Sequence, residues 1–190
     1  MRVRTAFVVP VVLVLAASCR VSAPTGPYAT PAETERQTSA AEKLNREAAD
    51  VIEKDPAKAE ALLREALTRD LFFGPAHNNL GVVFLGEGKL YEAAHEFEWA
   101  RKLLPGNPDP RVNLALTLER AGRLDEAFKS YEAALEVAPE DLAATEGAAS
   151  IVVRTRRPDT RLAGWLRTIS LGDTGGDWNR WAIEYSSRLR

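Results

Sequence analysis

From about residue 40 to residue 152 the apolar positions recur at helical spacing, and the pattern then repeats itself 34 residues later. Leu80 and Phe84 lie four apart, Gly88 follows as a stop, and Ala93, Phe97 and Ala100 form an i, i+4, i+7 stripe. This spacing predicts two helices joined by a tight turn, each burying one face. Laying 74–107 over 108–141 pairs Asn79 with Asn113, Leu80 with Leu114, Gly81 with Ala115, Phe84 with Leu118 and Gly88 with Gly122. The second halves pair Ala93 with Ala127, Phe97 with Tyr131, Ala100 with Ala134 and Pro105 with Pro139. Small residues on both helices let the backbones approach, Phe97 or Tyr131 fills the space beside them, and the prolines stop the second helix.

The flanks carry the same pattern in weaker form. Ala59, Leu63 and Ala66 repeat the second-helix stripe, but the preceding helix, predicted over about Ala40 to Lys54, lacks a Leu-Gly pair, so 40–73 reads as a degenerate unit. Ala148, Ala149 and Val152 continue the first-helix pattern. Pro158 and the run "RTRRPDTR" then shift the register, which makes 142–175 a partial unit. The segment "DWNRWAIEYSSRL" places Trp178, Trp181, Ala182, Tyr185 and Leu189 on one helical face, as a capping helix over 176–190 would.

The order Leu-Gly, aromatic, Ala, Phe, Ala, Pro over 34 residues resembles the tetratricopeptide repeat, with His77 and Arg111 standing where that family often has tryptophan. The resemblance implies an all-α fold. Residues 39–190 would form a right-handed superhelical array of about three helix-turn-helix repeats with a C-terminal capping helix. It also implies that the first helices line a concave groove for a peptide or protein partner. Counting 100° per residue, Asn78, Val82 and Leu85 form the stripe that would face this groove, and Val112, Leu116 and Glu119 are their equivalents one repeat later. The stripe is mostly apolar with a polar edge, which suits an apolar or amphipathic segment. The competing reading is that adjacent first helices or terminal segments bury it. A clamp for a C-terminal carboxylate, another use of such grooves, is disfavoured because Leu44, Ala48, Ala143 and Gly147 stand where its cations would be.

At the amino terminus "MRVR" precedes an apolar run from Thr5 to Ser18, 14 residues long and so shorter than the roughly 20 of a bilayer-spanning helix. Cys19 follows. As the only cysteine it closes no intramolecular disulfide. "LAASC" resembles the lipobox of bacterial lipoproteins, with Ala16 three places before the cysteine and Leu15 one residue further upstream. That resemblance implies a signal peptide over 1–18, acylation of Cys19 (palmitate-type chains) and attachment to a membrane. Residues 19–38, with three prolines and no periodicity, read as a flexible tether. Secretion with cleavage nearby and an uncleaved anchor are the alternatives. Arg20 after the cysteine, instead of aspartate, points to the outer membrane facing the periplasm if the host has two membranes.

Composition narrows the function further. A formal charge of −2 becomes more negative once Arg2 and Arg4 leave with the first 18 residues, which argues against a nucleic-acid partner. His77 and His95 are the only histidines, and there is no nucleophile elbow, phosphate loop or paired metal-binding motif. No catalytic, metal or cofactor residue is expected. The basic run Arg154, Arg156, Arg157 and Arg161 would meet anionic headgroups or form a solvated loop. Trp99, Trp165, Trp178 and Trp181 would be interface anchors or core. The expected function is that of a membrane-anchored adaptor or assembly factor of the bacterial cell envelope, binding another envelope protein or peptide in its groove. The alternatives are a structural or self-associating envelope component and, more weakly, an unrecognised enzyme.

Overall fold

The computed structural model describes residues 37–172 and 176–188, all of them in helices or the turns between them. The helices run α1 (Thr38–Ala49), α2 (Pro56–Arg69), α3 (Gly74–Gly86), α4 (Leu90–Leu103), α5 (Asp109–Arg120), α6 (Leu124–Val137), α7 (Leu142–Thr155), α8 (Leu162–Gly172) and α9 (Asp177–Arg188). The apolar amino-terminal run, Cys19 and most of the tether lie outside the described residues, as does Leu189. The end of the tether belongs to the fold: Gln37 donates its backbone N–H to the Arg69 carbonyl at 3.1 Å, and Thr38 opens α1 with its hydroxyl on Asp70 Oδ2 at 2.8 Å.

Helices pair in order, α1 with α2 through α7 with α8, and α9 packs on α8 to end an all-α repeat array. The second helix of each unit carries one packing ladder. Counted from the helix start, its fourth and eleventh residues are Ala59 and Ala66, Ala93 and Ala100, and Ala127 and Ala134, all fully buried. Between them stand Leu63, Phe97 and Tyr131. An added Cβ on Gly81 of α3 would lie 2.6 Å from the Phe97 ring, and one on Gly147 of α7 would overlap the Tyr131 ring. Glycine in a helix interior costs about 1 kcal/mol relative to alanine, and close helix contact offsets it at these two places.

α8 starts four residues later than the 34-residue period would place it, because the turn at 156–161 is longer than the equivalent turn at 121–123. The ladder does not re-form in full: α8 buries Leu166 and Ile169, Trp165 is partly buried, and Gly172 is exposed. The first unit also departs from expectation. α1 ends at Ala49, not Lys54, and a turn leads to α2, where Asp55 accepts from the Lys58 N–H at 3.0 Å beside Pro56 at the first helical position.

Gly88 and Gly122 close the first helices of the middle units with φ of +75°. Lys89 N–H then donates to the Phe84 carbonyl, and Arg123 N–H to that of Leu118. These bonds satisfy carbonyls that the helix end leaves open. One repeat further on, the same left-handed position is held by Arg156, with φ of 51° and Arg157 N–H on the Val152 carbonyl.

Candidate functional site: the inner helix row

The first helices touch one another in sequence, α1 with α3, α3 with α5 and α5 with α7, so they form one continuous row. Amide side chains bridge this row. Asn79 Nδ2 donates to Asn45 Oδ1 at 2.9 Å, and Asn113 Nδ2 to Asn78 Oδ1 at 3.1 Å. Asn45, Asn79 and Asn113 are 34 residues apart, a signal plainly visible in the chain but first given meaning by these bonds.

The six residues of the predicted stripe divide. Val112, Leu116 and Glu119 come together with Gly147, Ser150 and Arg154 of α7 and with Trp178 of α9 around a cleft of about 330 Å³. Leu116 is 41% exposed and Trp178 is 38% exposed, so an indole and a leucine stand open at its mouth. Asn78, Val82 and Leu85 do not line it. Leu85 and Val112 are each only 8% exposed, so the stripe is not open along its whole length. Packing decides this: both residues join the central core, and Arg120 reaches back to the Leu85 carbonyl at 3.1 Å.

Glu119 is held from two sides. Tyr131 donates its hydroxyl to Oε2 at 2.9 Å, and Arg154 reaches Oε1 at 2.6 Å. Burial, with the Glu119 carboxylate second, pushes the Tyr131 pKa far above the ordinary phenol value, so its hydroxyl remains a donor. The cleft therefore combines a fixed polar floor with apolar Leu116 and Trp178 at its mouth, and Glu146 and Ser150 add polar groups from α7.

Arg154 belongs to the basic run, and two more of its arginines are ion-paired at the surface, while Arg156 is exposed. Arg157 pairs with Asp125 and lies 4.7 Å from the Phe128 ring centroid. Arg161 reaches Asp159 at 2.6 Å and Glu132 at 2.7 Å, and stands 4.7 Å from the Trp165 ring. These contacts raise the Arg161 pKa and lower that of Asp159 through their mutual hydrogen bond. The segment is thus an ion-paired strap over α6 and α8, with Arg156 exposed between its anchors. Among the described residues, no group of three or more His, Cys, Asp or Glu side chains is placed to hold a metal ion, and no helix is long and apolar enough to cross a membrane.

The tetratricopeptide repeat family model matches residues 53–109, 79–141 and 112–168, which together span more than half the chain. The chain belongs to the tetratricopeptide repeat family. Solved structures agree on the fold of this tetratricopeptide protein. The pilF protein of Pseudomonas aeruginosa superposes with a TM-score of 0.69 at 20% identity, covering 80% of this chain and 70% of that one. The first tetratricopeptide domain of Spaghetti (RPAP3), solved with the HSP90 peptide SRMEEVD, gives 0.61 at 17% identity over 64% of this chain and 98% of its own. The type III secretion translocator chaperone SycD of Yersinia enterocolitica gives 0.58 at 17% identity over 62% and 95%. No curated protein matches the chain.

Trp178 is the site residue that the tetratricopeptide pattern did not reveal. The sequence placed it on a cap, and only the return of α9 alongside α7 brings it to the cleft. On α9 the buried residues are Asn179 and Ala182, with Asn179 Nδ2 donating to the Ser170 carbonyl at 2.6 Å. This rotates Trp178 outward from the apolar face read from the sequence.

Proposed function

We propose that this tetratricopeptide protein is a membrane-tethered adaptor or assembly factor that holds a polypeptide segment of another envelope protein along its inner helix row. The observation that carries the reading is the cleft between α5, α7 and α9, where exposed Leu116 and Trp178 flank a polar floor set by Glu119, Arg154 and Tyr131. An apolar side chain of the partner enters between Leu116 and Trp178. The bridged asparagines offer the partner's backbone what their mutual bonds leave over, the Asn45 amide N–H groups with the Asn79 carbonyl and the Asn78 N–H groups with that of Asn113. The RPAP3 domain, which shares the fold, holds a peptide in its structure, which favours the same class of ligand.

The tether is proposed from the sequence. A lipid-modified Cys19 places the array at a membrane surface, on the periplasmic side of the outer membrane in a two-membrane host. Affinity purification from membranes with the intact chain, compared with Leu116→Glu and Trp178→Ala variants, tests the groove. Loss of the same specific partner from both variants is expected, and undiminished recovery would sink the reading. Cys19→Ala, scored by membrane fractionation, tests the anchor separately, and a variant still wholly in the membrane fraction contradicts lipidation at that residue.

Exposed Leu171 and Ile183 on the final hairpin favour a second reading, self-association through that end. Light scattering over a concentration series checks it, since a mass constant at one chain excludes it.

A further inference from the structure

A second cleft, of about 430 Å³, lies away from the inner row between α2 and α4, with α3 as its floor. Leu67, Leu71 and Trp99 give its walls their apolar surface, with Arg64, Thr68 and His95 beside them. Leu71 is 59% exposed and Trp99 is 39% exposed, so apolar surface is open to solvent. The floor is polar but satisfied. His77 Nε2 donates to the Leu71 carbonyl at 2.9 Å, Nδ1 meets Glu96 Oε2 at 2.7 Å, and the imidazole stacks on Trp99 with ring centroids 5.8 Å apart. A volume of this size accommodates a large side chain, and the lining gives it hydrocarbon and one indole to rest on.

The same place one repeat later shows that the fold does not require this lining. Between α4 and α6 the equivalent cleft has about 290 Å³. There Arg101 stands for Leu67, Pro105 for Leu71, Ala133 for Trp99 and Arg111 for His77. Arg101 and Glu98 pair on the α4 wall of that cleft, 2.6 Å apart. One backbone arrangement thus carries a charged cleft in one unit and an open apolar one in its neighbour.

Charge limits what the apolar cleft receives. Its carboxylate, Glu96, is engaged with His77, and neighbouring Glu60 is engaged with Arg64 at 2.8 Å. Lys102 stands over Trp99, 5.7 Å from the ring centroid, and enters none of the ion pairs among the described residues; its equivalent one repeat later is Glu136. An acidic group beside an inserted apolar side chain would meet this ammonium.

We propose that the α2–α4 cleft is a second docking site, independent of the inner row, which takes a leucine or aromatic side chain from an acidic segment of a partner polypeptide. Such a site would let one molecule hold two segments at once.

The test is fluorescence anisotropy with the full chain and a labelled synthetic peptide of about 12 residues, carrying leucine and phenylalanine four apart among glutamates. A second peptide replaces the glutamates with lysines. Binding of the acidic peptide should fall at least about tenfold in Trp99→Ala. Lys102→Glu should reverse the preference between the two peptides, and Leu116→Glu on the inner row should change nothing. Both cleft substitutions insert residues that the next unit already carries at those places, and circular dichroism melts confirm their folding. Equal binding of the two peptides, no binding of either, or indifference to Trp99→Ala overturns the proposal. Loss of binding in Leu116→Glu assigns the peptide to the inner row and overturns it equally.

Discussion

The units at 74–107 and 108–141 bury the same ladder and expose different surfaces. At the buried places the exchanges are small: Ala93 for Ala127, Phe97 for Tyr131, Ala100 for Ala134. At the outer places tryptophan becomes alanine and leucine becomes arginine, so two clefts of one geometry differ in chemistry. The difference separates what close packing demands from what it leaves free. Interiors tolerate little change in volume, whereas a half-exposed position accepts any side chain that can reach water.

Four experiments press on this comparison. The largest effect belongs to the ladder. Phe97→Ala leaves a hole beneath Gly81 and should cost about 3–5 kcal/mol in urea unfolding. Tyr131→Phe, which keeps the ring and loses only the hydrogen bond to Glu119, should cost about 1–2 kcal/mol. A cost for Phe97→Ala no larger than that of Tyr131→Phe would mean that the ring beside Gly81 is not closely packed.

Exchanging the floor residues comes next. His77→Arg gives the second unit the third unit's residue and strands the Leu71 carbonyl and Glu96, at a cost of about 1–3 kcal/mol. The reciprocal Arg111→His gives up one bond, Arg111 to the Asn107 carbonyl at 2.9 Å, and should cost no more than about 1 kcal/mol. Thermal melts of both variants check the asymmetry.

Arg156→Gly extends the comparison to the fourth unit, restoring what Gly88 and Gly122 supply at a left-handed position. A gain of about 0.5–1 kcal/mol in unfolding free energy is expected, and no gain would show that Arg156 is held there by contacts that outweigh the backbone strain.

The smallest effect is electrostatic. Arg161 holds the Asp159 carboxyl below its ordinary value, so the contribution of this pair is fully present above the unfolded value of about 3.9 and is lost as pH falls through the lower folded value. Because the Arg161 side chain is about half exposed and screened by solvent, Asp159→Asn should flatten acid unfolding curves by only a few tenths of a kcal/mol. A larger change would mean that the strap over α6 depends on this pair.

Much of the architecture was legible in the residues themselves. The 34-residue spacing of small and aromatic positions named the paired helices, because volume at a helix contact is a local demand that sequence records directly. The site was legible only in part. Periodicity placed Leu116 and Leu85 on one stripe without showing that core packing closes over Leu85 and leaves Leu116 open. The basic run read as patch or loop because its partners, Glu119, Asp125 and Glu132, lie about 30 residues away on other helices.

By itself, then, the sequence determined the repeating unit, its small-to-large packing and its turn glycines, since each depends on neighbours a few residues away or one period apart. Tertiary structure alone decided which apolar residues remained in water. The return of α9 brought Trp178 to the inner cleft, and the spacing of α2 from α4 opened a second cleft around Trp99. Those outcomes depend on how successive helices stack, and helix stacking sums small rotations that no single stretch of sequence encodes.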